Sequence, residues 1–302
     1  MTDTASEAAN QVDNLGASLG DKLFATLQYV LPKHLLSRFI YSVTRCESPA
    51  IKRLIIGNFL RGYDVNMAEA LQSDPLAYRS FNDFFTRALR PGARPIVAAP
   101  DAIACPVDGT VSRCGGIHNG SLIQAKGRHY SLAELLANDA EAVDTYADGD
   151  YACIYLAPYN YHRIHMPLTG RLRSTVYVPG DLFSVNAATV RAVPRVFARN
   201  ERVICDFDTD YGRMAMILVG ALFVGSMATV PSGEINPPPR RRKTPQRIET
   251  GVGTELAKGD ELGRFNMGST VILVFQRGRA QWASTLRPEL KVQLGAAIGQ
   301  LR

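Results

Sequence analysis

A chain of 302 residues with 46% hydrophobic and 21% charged residues has an ordinary folded composition, enough for one large domain or two modest ones. Its 34 Lys+Arg against 28 Asp+Glu leave a formal charge of +6, which favours an anionic partner such as nucleic acid, an acidic metabolite or an anionic membrane. The basic residues are dispersed, without zinc-finger spacing or a long basic arm, which argues against nucleic acid. Cys46, Cys105, Cys114, Cys153 and Cys205 form no CxxC pair, so they read as reduced thiols of a cytosol-facing protein and exclude a disulfide framework.

The first fourteen residues carry Asp3, Glu7 and Asp13 and no Lys or Arg, unlike a secretory signal or transit peptide. From Leu15 to about Leu60, apolar residues recur at helical spacing through Leu19, Leu23, Leu27 and Val30, then Leu35, Leu36, Phe39 and Val43. That pattern predicts two or three amphipathic helices with a break near Pro32. Lys22, Lys33, His34, Arg38, Arg45, Lys52 and Arg53 are interleaved with the apolar stripe. The mixture suits a helix lying on anionic lipid, and equally a helix packed on the body of its own protein.

The segment SFNDFFTRALRPGARP, residues 80–95, opens with a helix cap and closes in Pro, Gly and Arg, which places the exit from the helical region near residue 95. Beyond it, strand patterns dominate: YACIYLAP at 151–158, RLRSTVYVPG at 171–180 and RVICDFDT at 202–209. The apolar run Met214–Val230 is interrupted by Gly220, Gly225 and Ser226 and reads as buried β structure, not as a membrane span. PPPRRRKTP at 237–245 is a stiff basic loop, and FNMGSTVILVF at 265–275 ends in a buried strand. No helical repeat alternates with the strands. The expected fold is therefore α+β, a mainly antiparallel β body from residue 96 to 302 with amphipathic helices over residues 1–95.

Three segments carry chemistry: CPVDGTVS with Asp108, YHRIHMP with His162 and His165, and FNMGST with Ser269. Carboxylate, imidazole and hydroxyl are the parts of an activated nucleophile, in which a base takes the serine proton and an acid orients the base. The histidine pair on a strand points to opposite faces and has no third ligand at a supporting spacing, so no metal is expected. The GxSxG elbow of common serine hydrolases is absent, since Val271 stands where its second glycine would be. The residues alone leave open a serine hydrolase acting on a lipid ester and a lipid-binding β module.

Taken together in order, FNDFFTR at 81–87, PVDGTVS at 106–112, LAPYNYHRIHMP at 156–167, YVPGDLFSVN at 177–186, FARNERV at 197–203 and GRFNMGSTVILVF at 263–275 resemble the pyruvoyl-dependent phosphatidylserine decarboxylases. The family's usual Leu-Gly-Ser-Thr signature has Met267 in place of leucine here, a swap that nearly conserves volume.

The resemblance implies a bacterial-type proenzyme that cleaves itself between Gly268 and Ser269 into chains 1–268 and 269–302. Ser269 attacks the Gly268 carbonyl, the resulting ester is eliminated, and hydrolysis leaves a pyruvoyl group, the covalent cofactor, where the serine stood. The resemblance maps the activating base onto His165, its orienting carboxylate onto Asp108, and the proton donor of the decarboxylation onto His162. A pyruvoyl ketone supplies an electron sink for a substrate amine, so no external cofactor is required. The implied substrate is phosphatidylserine in an anionic membrane, decarboxylated to phosphatidylethanolamine in phospholipid biosynthesis. The two cleavage chains are expected to stay together as a heterodimer, peripherally bound on the cytoplasmic side of the cell membrane. The apolar helix face would serve either lipid contact or a homodimer.

Overall fold

The computed structural model describes residues 17–125, 128–223, 226–235, 237, 243–267 and 269–302. The acidic first fourteen residues, Gly225, most of the basic loop at 237–245 and Gly268 of the expected cleavage site lie outside the described residues.

Three helices open the described chain: α1 (Leu19–Val30), α2 (Lys33–Thr44) and α3 (Pro49–Gly62). Ser18 and Asp21 cap α1 reciprocally, each side chain accepting from the other's backbone N–H, and Pro32 separates α1 from α2 as expected. Pro49 starts α3, where its missing N–H costs no helical bond. Ser80 caps a short helix, α4 (Phe81–Phe85). Phe81, Phe84 and Phe85 bury themselves against Ile56 of α3.

The first two helices turn polar faces inward. In α1 the buried residues are Asp21, Ala25 and Gln28, while Leu19, Leu23, Leu27 and Val30 are all at least 54% exposed. The cause is a polar dock on α5 (Ala187–Ala192) and its approach: Arg191 holds the Asp21 carboxylate at 2.9 Å, and Gln28 bonds Thr189 and the Ser184 N–H. Likewise α2 buries Lys33, Ser37 and Thr44 and exposes Leu35 and Phe39. Two basic residues of the expected lipid-facing stripe point into the protein instead: Lys33 ion-pairs with Asp181 at 3.5 Å and Arg45 with Glu234 at 2.8 Å.

The body is antiparallel β. Its strands, with those of a smaller sheet, are β1 (Gly109–Gly116), β2 (Asp150–Leu156), β3 (Arg163–His165), β4 (Gly170–Val178), β5 (Arg202–Thr209), β6 (Gly212–Gly220), β7 (Met227–Thr229), β8 (Gly233–Ile235), β9 (Gln246–Ile248), β10 (Glu255–Leu256), β11 (Glu261–Phe265), β12 (Ser269–Phe275) and β13 (Lys291–Val292). The large sheet runs β9-β4-β5-β6-β12-β2-β1-β13, with β10 also paired to β4, and the small one runs β8-β7-β11-β3. The apolar run from Met214 is a strand as far as Gly220, and resumes as β7.

Every residue of β12 is buried, because it lies between β6 and β2 with full ladders on both sides. Each large apolar side chain there contributes about 1.5–3 kcal/mol by leaving water. The chain enters β12 from β11 in the small sheet, so the junction at 266–269 is where the two sheets exchange the chain.

Candidate active site

Ser269 is the first residue of β12, opposite Leu156 of β2 and Gly220 of β6. Its side chain is fully buried and its Oγ has no hydrogen-bond partner among the described residues; Thr270 Oγ1 is in the same condition. A buried hydroxyl without a partner costs on the order of 1–3 kcal/mol, so its retention points to a use. Two residues upstream of Ser269, Met267 has φ 111, a region in which a side chain is strained. It is held there from both sides: Met267 packs on the α3–α4 aromatic cluster, and Asn266 is clamped by side-chain bonds to Asn82 and to Ser226, whose carbonyl also accepts the Asn266 N–H.

His162 lies wholly buried, its ring stacked on Phe85 at 4.1 Å. Its Nε2 is 3.1 Å from the carbonyl of Ala157, the residue after the Leu156 that faces Ser269. A carbonyl only accepts, so Nε2 carries the proton and Nδ1 keeps a bare lone pair, which has no partner among the described residues. Burial pushes the His162 pKa down to about 3, with the Arg87 charge acting in the same direction, so the ring is neutral. The backbone ties it to the cleavage segment as well, since the His162 carbonyl accepts the N–H of Phe265.

His165 ends β3 and is only partly buried. Its Nδ1 donates to the Gly259 carbonyl at 2.8 Å, which leaves Nε2 to accept the Tyr161 hydroxyl at 3.1 Å. Burial lowers its pKa, so it too is a neutral imidazole with a fixed tautomer. Gly259 can present that carbonyl because its φ of +90 suits glycine, and a Cβ there would sit 2.9 Å from Ile96.

Asp108 sits in the turn before β1 and is buried, but its carboxylate does not bond His165. Arg94 holds it with Nε at 2.9 Å and Nη2 at 2.7 Å, and the Leu294 N–H donates to it at 2.9 Å. The backbone nonetheless brings the two segments together, because the His165 N–H donates to the Pro106 carbonyl. Gly109 allows the close pass of Asp108 along β2: a Cβ there would lie 2.5 Å from the Tyr155 carbonyl oxygen. Of the four residues singled out from sequence, Ser269 and His162 both adjoin the turn after β2, His165 ends β3, and Asp108 faces Arg94. Tyr161, Gly259, Asn266 and Arg94 were not singled out; Tyr161 lies inside YHRIHMP and Asn266 inside FNMGST, while Gly259 and Arg94 carry no local signal of their role.

A family profile described as Phosphatidylserine decarboxylase matches residues 81–300, and a shorter one described as PSD matches residues 23–64. A protein of Methylococcus capsulatus named phosphatidylserine decarboxylase proenzyme is 49% identical over 95% of this chain and 99% of its own length. Proteins of the same name from Bordetella pertussis and Alkalilimnicola ehrlichii are 49% and 52% identical, covering 92% and 83% of this chain and 94% and 88% of their own. The chain belongs to the phosphatidylserine decarboxylase family. Membership makes it a decarboxylase and sets aside the hydrolase and the lipid-binding module. The matched span of the decarboxylase profile includes Asp108, His162, His165 and Ser269.

Proposed function

We propose that the chain is a proenzyme that cleaves itself between Gly268 and Ser269 and then decarboxylates phosphatidylserine to phosphatidylethanolamine at a membrane surface. The observation that carries this reading is Ser269: a buried, unpartnered hydroxyl at the mouth of a central strand, beside backbone strained at Met267. In cleavage, the Ser269 Oγ attacks the preceding carbonyl while His165 takes its proton. Tyr161 must yield the Nε2 lone pair for this, and Gly259 holds the tautomer. Asp108 and Arg94 form a buried ion pair beside β3, and the carboxylate stabilises the imidazolium that forms once it turns from Arg94.

A pyruvoyl group at position 269 supplies an electrophilic carbonyl for the substrate amine and a sink for the electron pair left by CO2. The residues fit that group, since position 269 is buried at the mouth of β12 and the Nδ1 of His162, without a partner among the described residues, lies on the turn that follows the strand paired with it. His162 is neutral before substrate binds, so it must take up a proton before it can deliver one to the carbon from which CO2 departs.

The exposed leucine rows of α1 and α2 support peripheral membrane docking. Their inward faces are already occupied by polar bonds, so the apolar faces are not waiting for their own protein body. Among the described residues, no helix is long and apolar enough to cross a membrane. The boundary between a helical membrane-associating region and the β catalytic region lies near residue 95 on this reading, and the two cleavage chains remain a heterodimer. Purified protein incubated with short-chain phosphatidylserine tests the activity: release of CO2 is expected from wild type and none from Ser269→Ala.

A further inference from the structure

Arg87, just beyond α4, is 4% exposed, and among the described residues only its Nη2 has a side-chain hydrogen bond, to the Tyr159 carbonyl at 3.3 Å. Its Nε and Nη1 are buried without partners among the described residues. Arginine does not shed its proton in proteins, so a buried guanidinium with unmet donors is a standing cost that calls for an anion. The carboxylates around it are already engaged. Arg94 holds both Asp108 and Glu69, at 2.7 and 2.8 Å, and Arg163 holds Glu261 at 2.7 Å.

Its place in the fold says which anion. Phe85, two residues back, stacks on His162, and Tyr159 belongs to the turn that joins Leu156, opposite Ser269, to His162. On the other side, Phe84 and Phe85 pack on Ile56 of α3, whose Ile51 and Leu54 are exposed. Arg87 thus lies between the apolar helices and the reacting serine, where the polar link between acyl chains and amine of a lipid would pass.

We infer that Arg87 binds the phosphodiester of the lipid headgroup through these unmet donors. This rests on the decarboxylase reading above. The substrate carboxylate is the poorer partner, because it must leave as neutral CO2, and a guanidinium bound to it would stabilise the starting charge and oppose the reaction. The phosphodiester keeps its charge from substrate to product. The same contact selects phospholipid headgroups over free amino acids.

Phosphatidylethanolamine separates the two anions, since it has the phosphodiester and lacks the carboxylate. The experiment measures equilibrium binding of short-chain phosphatidylethanolamine, and kcat and KM for short-chain phosphatidylserine, on matured wild type, Arg87→Gln and Arg87→Lys. Conversion to two chains checks folding. Loss of a charge-assisted bond predicts that Arg87→Gln weakens phosphatidylethanolamine binding and raises KM together by about 10–100-fold, with a smaller change in kcat, and that Arg87→Lys recovers part of the loss. Unchanged phosphatidylethanolamine binding with a raised KM would make Arg87 a carboxylate reader and overturn the inference, as would both staying unchanged. If Arg87→Gln does not fold, Arg87→Lys decides alone: severalfold weaker phosphatidylethanolamine binding supports the inference and wild-type binding overturns it. Failure of the wild-type chain to decarboxylate phosphatidylserine would sink the underlying reading, and shows in the wild-type assay by itself.

Discussion

Ser269 and His162 carry unpaired buried atoms at the same end of the sheet, and their substitutions should separate maturation from turnover. Ser269→Ala is expected to remain one full-length chain, because a methyl group cannot attack a carbonyl, and gel electrophoresis reads this directly. His165→Ala should slow cleavage about 100-fold or more, the usual worth of a general base, whereas His162→Ala should mature and then turn over at least about 100-fold more slowly. Blocked maturation in His162→Ala would make the imidazole with the free nitrogen the serine's base instead. His162 also gives a stability signature. Its folded pKa of about 3 lies below the ordinary value near 6.5, so the unfolded chain binds the extra proton and stability is lost as pH falls from about 6.5 towards 3. At pH 5 the loss from this residue is at most about 2 kcal/mol, and urea unfolding of wild type against His162→Gln at pH 7 and pH 5 measures it. A wild-type midpoint that does not fall between those pH values, or a fall that His162→Gln shares in full, would remove the effect from this residue.

At the scale of elements, the large strands were legible because their signal is local. Arg202–Thr209 has the bounds its sequence pattern implies, and the run from Met214 ends at Gly220, the first of its interrupting residues. The outward face of α1 was legible as an apolar stripe, but its direction was not. The stripe points away from the body because Asp21 and Gln28 find Arg191 and Thr189 some 170 and 161 positions away, partners that no periodicity reveals. The same limit hid the Arg94 clamp on Asp108, the Gly259 carbonyl under His165 and the bond between Asn82 and Asn266, each set by strand register or loop packing across the chain. The orientation of α1 has a test. Leu23→Glu combined with Leu27→Glu should cut co-sedimentation with phosphatidylserine-containing vesicles more than about tenfold, because two partly inserted leucines are replaced by charges that repel the surface. Self-cleavage and the unfolding temperature should stay within error of wild type. Unfolding of the double variant would instead place that face inside the protein.

For the whole molecule, the sheet would keep the chain one body if it is cut as proposed. β12 would be carried on the C-terminal piece, and it is bonded along its full length to β6 and β2, while Lys291–Val292 of the same piece pairs with β1. Both cleavage chains are therefore expected to co-elute in native gel filtration and to separate only in denaturant. On the proposed reading the net charge of +6 would work at this scale too, drawing the exposed apolar helices towards an anionic surface. All of this depends on one covalent event. A denaturing mass spectrum of the purified protein tests it most directly: chains 1–268 and 269–302 are expected, the smaller with a pyruvoyl group in place of its N-terminal serine. A single intact chain from folded protein, or a fragment that begins with unmodified serine, would contradict the account.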